Sequence, residues 1–453
     1  MSLYPDPYVL LYIVKPDSDL IYNVDHSEPR PSKKIGEQLA SALSGNEFFS
    51  YTDTQARVVS SIINYVEDSY KYGEKRTLII EGGPGTGKSI IAINVMGKLA
   101  NRKQGNLNVA YFTANAAPRK YYLNQLTSDG LTKQQFRAFF KSPVSLTSSK
   151  SGEYTCALFD EAHRMYTWKG GVGLEKGVNL IKTAIKVPLV SVFFIDEDQA
   201  VTVFDAATKQ LIMDTAEEQR SKVYLLPKLD AQFRVLGGNE YLDMITSFLG
   251  YHGTTDESGL IQNYDFRVYD SPTRMREDLR ELNAKYGKTR MVAGYNYEWV
   301  SKKEAEKYDI ILENGNFKAK WNLRTDMPVD YSWLFDDNSF EQVGCIHTCQ
   351  GLDMEYCGVI IGNDIRFEEG KLVFDQTKIA KSDRSSGIRN CNPSLAERLI
   401  RNTYKVLLTR GMRGTFVYCE DEILRNHLRE VFKKYSGSAA LRKPSIKTVF
   451  RSF

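Results

Sequence analysis

The sequence predicts an α/β protein built on parallel sheets, and three observations carry that prediction. Short buried-type runs rich in β-branched and aromatic residues recur at 77–81, 109–113, 157–159, 190–195, 290–294, 358–361 and 415–418. Helical patterns lie between several of them, at 54–70, 89–100 and 395–408. Each strand-like run stops at a polar or Gly-containing turn. Strands that alternate with helices form parallel sheets covered on both faces. Such sheets bind their ligands beyond the carboxyl ends of the strands.

Composition narrows the class. The 453 residues carry 60 basic and 56 acidic side chains, a formal charge of +4, with 42% hydrophobic and 26% charged residues. These are the proportions of a folded globular chain, not of a disordered or collagen-like one. The length suits two large domains or about three smaller ones. No apolar run reaches the ~18–20 residues of a membrane span. The six cysteines form no C-x-x-C pair, which points to a reducing compartment. The N-terminal residues lack the basic and small-residue pattern of a signal peptide, so the cytoplasm is the expected location. The chain's last stretch is basic: Arg425, Arg429, Lys433, Lys434, Arg442, Lys443, Lys447 and Arg451 are offset only by Glu430. It reads as a solvated helix and tail or as a weak phosphate-binding strip.

The sharpest motif follows the strand at 77–81. Gly82, Gly83, Pro84, Gly85, Thr86, Gly87, Lys88 and Ser89 match G-x-x-x-x-G-K-[ST], with a helix pattern next. Glycines let backbone N–H groups wrap phosphates at a helix N-terminus. Lys88 is expected on the β- and γ-phosphates and Ser89 on Mg²⁺, so the chain is read as an ATP binder. The strand at 157–159 ends in Asp160-Glu161-Ala162-His163. Asp160 is expected to hold Mg²⁺ and Glu161 to orient and deprotonate water, a pair suited to hydrolysis. His163 reads equally as a structural or a coupling residue. A third strand ends in Asp196-Glu197-Asp198-Gln199, where the Gln199 amide is expected to sense the γ-phosphate.

The order of motifs then becomes diagnostic. Gln55 precedes the phosphate loop; Tyr111-Phe112-Thr113-Ala114-Asn115-Ala116-Ala117 follows it. Then come Gln232-Phe233-Arg234, the segment from Ile346 through His347, Thr348 and Gln350 to Asp353, and Tyr404-Lys405 leading to Thr409-Arg410. In this order the sequence resembles a superfamily 1 helicase with two RecA-like parallel-sheet domains and ATP in the cleft between them. More narrowly it looks like the bacterial family related to the Schlafen-type DNA/RNA helicase domain, and the likeness spans about residues 31–418. The Asp-Glu-Ala-His tetrad alone would also suit superfamily 2. The chain has neither the Ser-Ala-Thr nor the Gln-Arg-x-Gly-Arg segment of those enzymes.

The resemblance implies a role for each matching position. Gln55 would read the adenine edge, Phe233 would stack on the base, and Asp353 would reach the ribose. Arg234 and Arg410 would act as arginine fingers. Phe112, Thr113, Asn115, Phe204, His347 and Thr348 would face single-stranded nucleic acid. The expected boundaries are a polar, Pro-containing N-terminal extension at 1–48, a first domain at 49–228 and a second at 229–453, the break falling where Pro227 interrupts a strand-like run.

Only small insertions fit, at about 121–149 and 302–340, which suits a translocase better than a processive unwinder. Residues 1–48 are too short for the nuclease domain that relatives carry. A partner nuclease or other effector subunit in phage defence or DNA processing is therefore expected. The expected function is an Mg-ATP-dependent motor tracking single-stranded DNA, with RNA as the other candidate polymer and no membrane partner. The alternative is a nucleotide-gated switch or scaffold that regulates a partner without translocating. A phosphotransferase is the third reading. Cys345, Cys349 and Cys357 match no zinc spacing and read as small buried residues.

Overall fold

The computed structural model describes residues 51–101, 107–114, 133–166, 179–251, 259–322, 333–334 and 336–436. The extension at 1–48, Asn115 and the basic residues from Arg442 onward lie outside them. Helix α1 (Asp53–Tyr72) opens with a reciprocal cap between Thr52 and Gln55 and stops at Gly73, whose φ of 71° suits glycine. Its apolar positions Val58, Val59, Ile62 and Val66 fall on one buried stripe.

The first sheet contains β1 (Arg76–Glu81), β2 (Val109–Thr113), β3 (Phe140–Lys141), β4 (Cys156–Asp160), β5 (Val190–Ile195) and β6 (Lys222–Leu225). Its order is β3-β2-β4-β5-β1-β6, and every pairing is parallel. Both faces are covered, so alternate residues enter different cores. Leu78, Ile80, Tyr111 and Phe194 pack with α1 and with α2 (Lys88–Ala100), while Ile79, Phe112, Phe159 and Phe193 pack on the other side.

The second sheet contains β7 (Asp265–Val268), β8 (Arg290–Ala293), β9 (Ile310–Leu312), β10 (Phe317–Trp321), β11 (Gln342–Cys345), β12 (Met354–Ile361) and, past the β13–β14 hairpin (Ile365–Glu368, Lys371–Phe374), β15 (Gly411–Cys419). Its order is β7-β15-β12-β8-β11-β10-β9, parallel except for β9 against β10. Flanking helices include α3 (Lys209–Glu218), next to the first sheet, and α4 (Gly238–Phe248), α5 (Pro272–Tyr286), α6 (Pro393–Leu408) and α7 (Glu422–Ser436).

All seven strand-like runs and the three helical patterns form as expected. The edge strands lie outside the expected runs because they are short or half-exposed; at Lys222–Leu225 the apolar run that stops before Pro227 forms a strand whose side chains stay partly exposed. The segment expected as an insertion at 302–340 supplies β9 and β10, which widen the second sheet. The basic residues of α7 are partly absorbed internally: Arg425 and Arg429 both reach Asp270, at 3.1 and 2.8 Å, and Lys433 pairs with Glu430 at 2.5 Å. All six cysteines are free, with Cys349 and Cys357 buried. Among the described residues no helix is long and apolar enough to cross a membrane.

Candidate functional site

The phosphate loop joins β1 to α2 at the carboxyl edge of the first sheet. Gly85 and Gly87 have φ of 75° and 85°, a region that costs little only for glycine. A Cβ on Gly85 would also sit 2.6 Å from Arg234 Cβ, and one on Gly87 would sit 2.9 Å from Gln55 Nε2. Lys88 Nζ donates to the loop carbonyls of Gly82 and Gly83 at 2.6 and 2.8 Å. Thr86 Oγ1 donates to Gly83 at 3.0 Å.

Gln55, expected at an adenine edge, bonds the loop itself in this structure. Its Nε2 donates to Thr86 O at 3.1 Å, its Oε1 accepts from Thr52 N at 3.1 Å, and the residue is 2% exposed. It braces the loop from beneath. Phe233 behaves differently: its N–H donates to Gly85 O at 2.9 Å while the residue stays 54% exposed beside the loop.

The acidic pair follows β4. Ser89 Oγ donates to Asp160 Oδ2 at 2.5 Å, and Tyr111 OH donates to the same oxygen at 2.6 Å. A hydroxyl beside a carboxylate oxygen is the hard donor set that suits Mg²⁺, which takes few protein ligands and keeps its phosphates and waters. Burial and the neighbouring Glu161 raise the Asp160 carboxyl, with Ser89, Tyr111 and Lys88 opposing. Glu161 sits in the left-handed region at φ 51°, a conformation costing about 1 kcal/mol or more in a non-glycine residue. Burial pushes the Glu161 carboxyl up, but His163, Lys88 and Arg410 together hold it well below the usual range. His163 Nε2 lies 3.1 Å from Glu161 Oε2, within ion-pair reach but off the line of a good hydrogen bond. Gln199 Nε2 donates to Asp196 Oδ2 at 2.7 Å, and that oxygen lies 3.9 Å from Lys88 Nζ.

The second sheet faces this set with two arginines. Arg410, 1% exposed, donates from Nε to Val406 O at 3.0 Å, while Nη1 and Nη2 are buried with no hydrogen-bond partner among the described residues. Burial and the charge of Arg234 weaken its hold on its proton, and Asp353 and Glu161 strengthen it. A buried guanidinium with two orphaned nitrogens is costly unless an anion completes it. Arg234 Nε stands 2.7 Å from Asp353 Oδ1, so in this structure Asp353 holds an arginine where the resemblance implied a ribose.

The residues expected on nucleic acid divide into two groups. Phe112 is a correction: it is fully buried, 5.2 Å from the stacked ring of Phe159 and edge-on to Tyr154 at 5.5 Å. Strand alternation decides this, because Tyr111 takes the face toward α2 and Phe112 the opposite core. Thr113, opposite Asp160 in the ladder, is buried as well. Thr348 is buried too, and its hydroxyl accepts from Asn322 Nδ2 at 2.7 Å. Phe204 and His347 keep part of their surface. His347 Nε2 lies 3.2 Å from Ser385 Oγ and 3.4 Å from Tyr295 OH.

Several contributors went unnoticed in the sequence. Tyr111 and Asp196 stand inside the sequence motifs, and the polar ends of their strands were the available signal. Gln232, whose Oε1 accepts from the backbone N–H groups of Arg234 and Val235, shapes the turn on the phosphate loop.

Comparison with known proteins bears on this arrangement. The uncharacterized protein YPL245W of Saccharomyces cerevisiae is 28% identical over 388 residues, covering 79% of this chain and 84% of the yeast protein. Among solved structures, the DUF1998 helicase MrfA bound to DNA and AMPPNP is similar at TM-score 0.33 and 11% identity, over 93% of this chain; the chain spans 58% of that protein. Pif1 from Bacteroides sp in complex with ADP-AlF4 is similar at TM-score 0.34 and 12% identity, over 85% of this chain and 96% of its own. Pif1 helicase from Candida albicans is similar at TM-score 0.34 and 10% identity, over 86% and 98%. The profile described as Schlafen group 3, DNA/RNA helicase domain, matches residues 75–421, from β1 to the end of β15, and the chain belongs to that family.

Proposed function

We propose that this protein is an Mg-ATP-dependent motor that hydrolyses ATP while tracking single-stranded nucleic acid, DNA first and RNA as the second candidate. The observation that carries the reading is the pair of orphaned guanidinium nitrogens on Arg410, buried within electrostatic reach of Glu161. A γ-phosphate is the anion of the size and charge to complete them. The family match adds the nucleic-acid side of the reading.

In this mechanism Lys88 leaves the loop carbonyls for the β- and γ-phosphates, and Phe233 covers the base. Ser89 and Asp160 would hold Mg²⁺, which would neutralise phosphate charge. Glu161 orients a water and takes its proton as the new bond to the γ-phosphorus forms and the bond to the ADP oxygen breaks. Arg410 and Arg234 stabilise the charge on the transferring phosphoryl group, a contribution on the order of 10³–10⁵ in rate for such fingers. Gln199 reports the γ-phosphate to the nucleic-acid side, where Phe204 and His347 remain accessible. The proposed boundaries are a first domain at 49–228 and a second at 229–453.

The test is ATP hydrolysis with and without single-stranded DNA and RNA, with Lys88→Ala as the blank. Stimulation that vanishes in the blank supports the motor and names its polymer. Hydrolysis indifferent to both polymers, or binding without turnover, overturns it in favour of a nucleotide-gated switch.

A further inference from the structure

The loop that carries Gln199 leaves β5 of the first sheet, yet its backbone is gripped by the second. Asn402 Nδ2, on α6, donates to Glu197 O at 3.2 Å and to Ala200 O at 2.9 Å. One turn along α6, Lys405 Nζ donates to Asp198 Oδ2 at 2.5 Å. Gln350 Nε2 donates to Gln199 O at 3.2 Å, and Tyr295 OH donates to Val201 O at 3.3 Å. The N–H of Val203 donates to Ser386 O at 2.8 Å. Ala200 and Val201 pack inside the apolar core of the second sheet. From residue 197 to 203, then, nearly every position has a partner supplied by the other sheet.

The side chains of Glu197 and Gln199 point the other way. Gln199 Nε2 is bound to Asp196, and Glu197 Oε1 accepts from Lys209 N at the start of α3 at 2.7 Å. Asp205 closes the loop onto itself by accepting from the N–H groups of Val201 and Thr202, at 2.8 and 3.0 Å. Asn402 is itself held by Tyr251, whose hydroxyl donates to Asn402 Oδ1 at 2.6 Å, and Lys405 Nζ lies 4.4 Å from the Tyr251 ring centroid. Asn402 and Lys405 share one face of α6 because they are three residues apart.

We propose that Asn402, Lys405 and Gln350 are positioning residues that set the reach of Gln199 toward the γ-phosphate, making the 197–203 loop the mechanical link between closure of the two sheets and hydrolysis. The inference rests on the proposed function of this site. Displacement of the second sheet draws the carbonyls of residues 197–201 with it and takes Gln199 away from Asp196 and Lys88. Return of that sheet restores the amide. The strand-facing Phe204 lies just past the gripped segment, so the same displacement reaches the nucleic-acid side.

The experiment compares Asn402→Ala, Lys405→Met and Asp198→Ala with wild type, using Ser394→Ala, exposed near the start of the same helix, as the control. Each of the three lowers kcat by about 10- to 100-fold, while KM for ATP and Kd for ADP stay within about threefold. Asp198→Lys combined with Lys405→Asp recovers most of the loss, which a general packing defect would not allow. The side chain of Asp198 is half-exposed, so its replacement keeps the test open should the α6 variants fail to fold. Unchanged kcat in Asp198→Ala, or loss of ADP affinity in step with kcat, overturns the proposal. A second readout separates this outcome from failure of the motor reading: the affinity for ADP–aluminium fluoride relative to ADP. If wild type shows no strand-stimulated turnover, the motor reading fails, and the clasp is still judged by that ratio. It falls about 10-fold or more in the variants if the clasp positions Gln199, and unchanged ratios reject the clasp.

Discussion

Arg234 Nε lies 2.7 Å from Asp353 Oδ1, joining the turn that rides on the phosphate loop to the segment that leads into β12. Both residues also act on the buried Arg410, with opposite signs. Asp353→Asn keeps the shape and removes the charge that holds Arg234. Its expected effect is a several-fold rise in strand-independent ATP hydrolysis, measured by steady-state phosphate release. A fall in that rate would mean that Asp353 serves the bound nucleotide instead.

Arg410 sets function against stability. Arg410→Met removes two orphaned guanidinium nitrogens and fills the same space with apolar atoms. Nucleotide-free protein is expected to gain about 1–2 kcal/mol, read as a higher midpoint in urea. Turnover in the same variant is expected to fall by about 10³-fold or more. Loss of stability would show that Arg410 is paid back within the fold.

In the proposed mechanism Glu161→Gln removes the acceptor for the proton of the attacking water and keeps the volume. The expected result is a loss of about 10²–10⁴ in kcat with fluorescent ATP-analogue binding retained. Parallel loss of binding and turnover would assign Glu161 to the nucleotide pocket's structure.

In this structure Gln55 bonds the phosphate loop at Thr86 O. Gln55→Ala is therefore expected to raise KM for ATP and for GTP by the same factor, because the lost bond to Thr86 O is common to both. Phe233→Ala, an exposed position, should weaken both nucleotides without lowering the thermal midpoint. A Gln55→Ala effect confined to ATP would restore the adenine-reading role.

Phe112 and Phe204 give opposite signatures. Phe112→Ala opens a hole between Phe159 and Tyr154 and should cost about 3–5 kcal/mol of stability. Phe204→Ala should leave the urea midpoint in place and weaken single-strand binding by about 1–3 kcal/mol, measured by fluorescence anisotropy at fixed salt. Equal behaviour of the two variants would contradict the separation of core from strand surface.

Much of this was legible in the sequence because it is local. The strand before Gly82, the glycines at 85 and 87 and the helix after Lys88 form one contiguous unit whose conformation follows from backbone sterics. The same holds for Asp160 and Glu161 at the end of an apolar strand. Phe112 was misread because motif position does not state which face of a sheet a residue takes. A one-residue step exchanges the site's neighbour for the core's, and Tyr111 took the site.

What the sequence determined by itself was therefore the set of buried strands, the phosphate loop, the acidic pair and the order of motifs, all carried by short-range periodicity and spacing. Only the tertiary structure decided that Gln55 braces the loop and that Asp353 holds Arg234. It alone brought Asn402 and Lys405 onto a loop about 200 residues earlier in the chain. Such contacts are set by how two sheets pack against each other, and no local pattern in the chain encodes that packing.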